Sequence, residues 1–330
     1  VVTPHLEVLQ PGLQSTVQDW PGRIGFWRVG IPPSGPMDDL AFRLANQLVG
    51  NDPGAAGVEF QLVGPKLRAD CDVDLAVVSG SEPTIDGVRV ETGQTLTLRR
   101  GQVLECGPVR VGMRGYLAVA GGFDKAPVLG SASTFPRGGI GGKALAAGDI
   151  LALAGPRAGQ PRLQVAPGTI PSIEDTAIIE VTAGPHFDWL DAAGRDALVG
   201  GEWTVSSRSD RTGIRLSGPE VGFASRATDK AAENGPDPTN VINTGYAIGG
   251  VNLCGDTPII LPLDGPSQGG FITPIVVVSA ALWRVGQLRP NKTLVFRRVS
   301  VDEAIEMRTA LEARASAASL IPLSGEGDAS

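Results

Sequence analysis

Apolar residues recur along this chain in short Val-, Leu- and Ile-rich runs broken by Gly and Pro. That pattern predicts strands rather than long helices. In the first half, strands are expected at 6–9, 75–79, 89–90, 95–98, 103–105 and 116–119. In the second half they are expected at 177–182, 204–206, 213–216, 246–252, 259–263 and 293–297. Within 84–90 the pair Asp86-Gly87, flanked by apolar residues, predicts a tight hairpin. Strands recurring at about 8–12 residues point to a barrel or a sandwich. Leu40, Leu44 and Leu48 fall on one helical face and predict a helix over 37–48 that Gly50 ends. Ser34 or Asp38 is placed to cap it, and Asp38-Asp39 suits the positive end of a helix dipole. Further helices are expected at 188–198, 276–285 and 302–314. Residues 155–172 read as a crossover between two halves, 1–160 and 173–318, and 224–243 as a long polar loop. A flexible tail is expected over 319–330.

Composition supports a folded β protein. Gly (45) and Pro (26) are abundant among 330 residues, yet 42% of residues are hydrophobic, which excludes a disordered chain. The net charge of −7 and the lack of a basic stripe argue against nucleic-acid binding. No apolar run approaches the ~18 residues of a membrane span, and no signal-peptide pattern opens the chain. Cys71, Cys106 and Cys254 are odd in number and widely spaced, as expected of reduced core thiols in a cytoplasmic protein. With only His5 and His186 beside them, no metal site is expected.

The most chemically loaded stretch is 255–271. Its apolar strand runs into Asp264-Gly265-Pro266-Ser267-Gln268-Gly269-Gly270-Phe271, a turn that gathers a carboxylate, a hydroxyl, an amide and bare backbone. It reads either as a ligand-binding turn or as a decorated connector. Arg23, Arg137, Arg211 and Arg215 lie near glycines and are able either to grip a carboxylate or to tie loops together. Lys230, Asn240 and Asn243 lie in the polar loop, as site residues or as ordinary solvated and turn residues. No Walker-type loop marks an ATP site, no nucleophile elbow or amidase signature occurs, and no lysine sits in a biotin-attachment context.

Several motifs stand in a characteristic order: Ser15-Thr16-Val17-Gln18-Asp19-Trp20-Pro21-Gly22-Arg23, Gly30-Ile31-Pro32-Pro33-Ser34-Gly35-Pro36-Met37-Asp38-Asp39, Gly130-Ser131-Ala132-Ser133-Thr134, Gly138-Gly139-Ile140-Gly141-Gly142, Ser209-Asp210-Arg211-Thr212-Gly213-Ile214-Arg215 and the Asp264 turn. As a set they resemble the KipA family, also called allophanate hydrolase subunit 2, which includes one half of the carboxyltransferase region of urea carboxylase. The resemblance implies a mainly β fold with a few short helices, built as two cyclophilin-like β-barrel halves. It also implies a separate subunit 1 (KipI-like) partner, a small amide-type substrate, and carboxybiotin delivered by a separate carrier. By the same resemblance Asp264 would orient or deprotonate the amide, while Asn240, Ser267, Gln268, Gly269 and Gly270, with Ser34 of the second motif, would bind substrate. Lys230 or Arg23 would stabilise the carboxyl group. The turn is similar to the urea carboxylase style, departing from it at Gln268. Two alternatives stay open: a subunit of a lactam-opening 5-oxoprolinase, and a regulatory protein acting with a KipI-like partner on a histidine kinase.

Overall fold

A computed structural model describes residues 3–323. The chain forms two compact units: Val1–Ile24, Ser34–Ser172 and Leu311–Ser330 make the first, and Gly25–Pro33 with Ile173–Ala310 make the second. Two segments therefore cross the expected division. Trp27 joins the second unit, where its indole N–H donates to the Tyr246 carbonyl at 2.9 Å. The C-terminal segment joins the first, through Arg43 to Glu312 at 2.7 Å and the Gln47 amide to the Ala315 carbonyl at 2.7 Å.

In the first unit two sheets share a core. One runs in the order Ile150–Ala152, His5–Gln10, Lys66–Ala69, Val103–Glu105, Thr84–Ile85, Val88–Arg89. The other runs Thr16–Gln18, Gly57–Gln61, Val109–Val119, Val73–Ser81, Thr95–Leu98. Alternation assigns the side chains of the second sheet to two faces. Leu75, Val77, Leu117 and Val119 enter the core shared with Leu6, Val8, Leu67 and Leu104. Ala76, Val78, Tyr116 and Ala118 face the other way, against Ala41, Phe42, Ala45 and Leu48 of the helix Asp39–Leu48. A sheet covered on both faces reads as an unbroken apolar run. Asp38 caps that helix by accepting from the Ala41 N–H at 3.0 Å, the role anticipated for Ser34 or Asp38. The Asp86-Gly87 hairpin forms with both residues at positive φ, 49° and 81°, as its turn requires.

The second unit is a closed seven-stranded barrel. Its order is Thr176–Ala183, Ile275–Val277, Gly250–Cys254, Thr257–Ile260, Ile214–Ser217, Glu202–Val205, Thr293–Arg298, and Thr293–Arg298 closes on Thr176–Ala183 in parallel. Trp203, Ile179, Val181, Val251, Ile260, Leu294 and Phe296 fill it. The mainly β class with short helices holds. Closure is complete in this unit, whereas the strands of the first divide into two sheets.

Four local expectations need correction. Residues 275–277 are strand, not helix, because Ile275 and Val277 alternate into the barrel core; the helix there is Leu282–Gln287. The strand expected at 246–252 begins only at Gly250, as Gly250–Cys254, with Gly249 at φ 83° before it, and a separate strand, Asn240–Gly245, lies ahead of the expected span. The expected loop 224–243 therefore holds the short helix Ser225–Thr228 and most of a strand. Within the expected tail, Leu320–Pro322 pairs with Leu163–Val165 of the expected crossover, and Leu320, Leu163 and Val165 pack on the helix Asp39–Leu48 cluster. Residues 324–330 lie outside the described residues.

The three thiols are unpaired, and burial pushes each above the usual thiol range. Among the described residues no helix is long and apolar enough to cross a membrane.

A buried network holds the loop ahead of the first helix. The Tyr116 hydroxyl donates to Glu59 at 3.0 Å and accepts the Asp38 N–H at 2.8 Å, while the Met37 N–H reaches Glu59 at 2.8 Å. Burial, reinforced by the Glu59 charge, pushes the Tyr116 phenol well above its ordinary range, so it stays a donor. Tyr116→Phe removes the hydroxyl that bonds both Glu59 and the Asp38 N–H and is expected to lower stability by about 1–3 kcal/mol, measured by urea unfolding at unchanged m-value.

Candidate functional site

Outside the barrel, strands Asn240–Gly245 and Gln268–Phe271 pair into a two-stranded ribbon, with Asn240 opposite Phe271 and Thr244 opposite Gly269. Tyr246 is its keystone. Its hydroxyl accepts the Phe271 N–H at 2.8 Å, its N–H donates to the Ser267 carbonyl at 2.8 Å, and its carbonyl takes the Trp27 indole. Glycine is obligatory at 269, because a Cβ there would stand 2.7 Å from the Tyr246 hydroxyl oxygen. The ribbon thus carries Asn240 opposite Phe271 at one end and Gln268 at the other, with Gly269 and Gly270 between and Ser267 just before it, all expected at the site.

Lys230 joins them. Its ammonium donates to the carbonyls of Asp237 and of Asn240, the latter at 2.7 Å, and stands 5.7 Å from the Trp189 ring centroid. Burial draws it below the usual lysine range, opposed by the Asp237 charge. Trp189 meets His186 edge to face at 5.3 Å. The His186 Nδ1 lies 3.1 Å from the Thr273 backbone N–H and accepts from it, which assigns its proton to Nε2. Burial pulls His186 below the ordinary imidazole range, opposed by Asp188. The Thr273 hydroxyl in turn donates to Asn252 at 2.8 Å. The side-chain amides of Asn240 and Gln268 and the Ser267 hydroxyl make no hydrogen bond among the described residues.

Asp264 has a different situation. Arg211 holds both of its oxygens, Nε to Oδ2 at 2.7 Å and Nη2 to Oδ1 at 3.3 Å, and the Asp264 N–H donates back to the Arg211 carbonyl at 3.1 Å. Both side chains are buried. This geometry makes Asp264 the anchor of the turn. Of the other arginines, Arg215 ties a loop through the Arg208 carbonyl at 2.7 Å. Arg23 and Ser34 belong to the first unit. Arg23 is buried there, donating to the carbonyls of Val128 at 3.0 Å and Ser133 at 2.7 Å. Ser34 is fully buried at φ 55°, beside Gly35, whose N–H donates to Gln18 at 3.0 Å. Sequence reasoning missed Tyr246, Trp189 and His186. Their one signal was scarcity, with two histidines and two tyrosines in 330 residues.

Residues 29–298 match the family described as carboxyltransferase domain, subdomain A and B. A subunit of the Escherichia coli 5-oxoprolinase, its C component, is 32% identical over 92% of this chain and 94% of its own length. The chain belongs to the carboxyltransferase domain family. This chain is also 36% identical to the urea amidolyase of Saccharomyces cerevisiae, over 92% of the chain and 17% of that protein. The crystal structure of the Kluyveromyces lactis urea carboxylase superposes with a TM-score of 0.88 at 36% identity, covering 98% of this chain and 30% of that one. The chain thus spans under a third of the length of the urea amidolyase and urea carboxylase proteins it matches.

Two outcomes are expected. Arg211→Met leaves Asp264 buried without its cation and should destabilise the fold by about 3–5 kcal/mol, part of it recovered by adding Asp264→Leu; unfolding of the single and double variants measures this. His186 is held neutral, its pKa depressed in the folded state, so the stability it contributes is present above its unfolded pKa of about 6.5 and is lost as pH falls toward the lower folded value. His186→Gln should flatten the acid side of the stability–pH curve in that window.

Proposed function

We propose that this chain is the carboxyltransferase half-site of a urea carboxylase-like enzyme, carboxylating the nitrogen of a small amide-type substrate. Similarity of 36–38% to proteins named urea amidolyase or urea carboxylase supports the substrate class. The observation that carries the reading is the ribbon, which presents the uncommitted amides of Asn240 and Gln268 and the Ser267 hydroxyl, with the Lys230 ammonium against the Asn240 carbonyl. A urea-like group offers paired N–H donors and a carbonyl acceptor, which these side chains complement.

The same side chains suit the ureido ring of biotin, so the residues present fit carboxybiotin brought by a separate carrier. When bound, that group supplies an activated carboxyl group. The chain's own contribution is orientation and charge. Asn240 would align the substrate nitrogen, and Lys230 would place positive charge near the developing carboxylate. Gly269 and Gly270 leave the backbone bare for close approach. Asp264, locked to Arg211, acts as a positioning residue for the turn. A subunit 1 (KipI-like) partner would complete the enzyme. The unpaired thiols support a reducing, cytoplasmic setting.

A second reading, as part of a 5-oxoprolinase, is favoured by the near full-length match to the Escherichia coli protein of that name. Calorimetric titration of the chain co-purified with its subunit 1 partner separates the two. Urea or guanidine should bind, and Asn240→Ala should weaken that binding about tenfold, or ~1.4 kcal/mol. Binding of 5-oxoproline alone overturns the urea reading in favour of lactam opening.

A further inference from the structure

A polar cluster in the first unit has no part in the site described above. Lys125 is half-buried and its Nζ donates to the Thr134 hydroxyl at 2.7 Å; that hydroxyl donates onward to the Gly141 carbonyl at 3.1 Å. Gly142, exposed and at φ 104°, leaves open space beside it, where an added Cβ would lie 3.8 Å from Nζ and meet no other atom within 4 Å. The chain's other lysines are committed as cations. Lys66, Lys143 and Lys292 face Glu105, Asp149 and Asp175, and Lys230 donates to two carbonyls. Among the described residues, Lys125 is the one lysine whose acceptor is only a hydroxyl. A hydroxyl stabilises an ammonium far less than a carboxylate does.

We infer that Lys125 is a carbamylation site, adding carbon dioxide reversibly at Nζ. The Nζ lone pair attacks the carbon and an N–C bond forms. One C=O π pair moves onto oxygen, and an Nζ proton leaves to water. The carbamate is an anion. The Arg23 guanidinium nearby favours it, and the Thr134 hydroxyl can turn to donate to it. The opposing charge is Asp19, whose carboxylate is already occupied by the hydroxyls of Ser131 and Ser133 and by the Ala132 N–H. Arg23 and Asp19 are the charged groups that act on Lys125.

Reaction requires neutral amine. Burial, with Arg23 assisting and Asp19 opposing, pulls Lys125 down to about 8. Near pH 7.5 that gives roughly two-hundred-fold more neutral amine than an ordinary lysine holds. The inference is independent of the proposed carboxyl transfer, since it needs only carbon dioxide and this amine.

The test uses the full chain with ¹³C-labelled bicarbonate at fixed dissolved carbon dioxide. Carbamate is trapped by alkylation with a trialkyloxonium salt and mapped by peptide mass spectrometry between about pH 6 and about pH 9. Label should appear on the peptide bearing Lys125, rise as pH passes about 8, and vanish in Lys125→Arg, with Lys66, Lys143 and Lys292 unlabelled. Absence of label from Lys125 in the wild-type chain overturns the inference, and so does equal label on every lysine. The wild-type map decides the matter even if the variant folds poorly.

Discussion

The parallel pairing of Thr176–Ala183 with Thr293–Arg298 is the contact on which the candidate site depends. It joins the first and last strands of the barrel through six register pairs, from Thr176 opposite Thr293 to Val181 opposite Arg298. Parallel pairing needs a long connection, and here the connection is the rest of the barrel. Closure removes the free edges that would otherwise template aggregation. It also buries Ile179, Val181, Leu294 and Phe296 around Trp203. The ribbon that carries Asn240 and Gly269 lies in the chain between these two strands and is followed by the barrel strands Gly250–Cys254 and Ile275–Val277. Its geometry is inherited from that closure.

Several carboxylates inside the two units are held by dedicated partners. Glu59 takes the Tyr116 hydroxyl and the Met37 N–H, Asp264 takes Arg211, and Asp19 takes two serine hydroxyls and a backbone N–H. A buried charge without such partners would destabilise a domain by several kcal/mol, a large part of its net stability. Against this background the uncommitted amides of Asn240 and Gln268 stand out. They lie where water or a ligand reaches them, on a backbone that Tyr246 holds rigid. Preorganised polar groups on a stiff support are what recognition of a small amide demands.

Much of this was legible in the chain. The helix Asp39–Leu48 and the Asp86-Gly87 hairpin follow from local rules, a periodic leucine face with an Asp cap and a turn pair that tolerates positive φ. The clustering of Ser267, Gln268, Gly269 and Gly270 was visible as a polar, glycine-rich turn after an apolar strand. Misreadings arose where a tertiary partner overrode local character. Ile275–Val277 became strand because Val181–Ala183 and Gly250–Val251 pair with it on either side. Leu320–Pro322 became ordered because Leu163–Val165 pairs with it.

By itself the sequence determined the β class, the first helix and the hairpin, and it marked the polar, glycine-rich turn at 264–271, since each rests on residues close together in the chain. Only the tertiary structure decided that Asp264 belongs to Arg211, that Lys230 leans on the Asn240 carbonyl, and that Tyr246 requires glycine at 269. Those are pairings across about ten to fifty positions, and no local propensity encodes which charge will meet which partner once the barrel has closed.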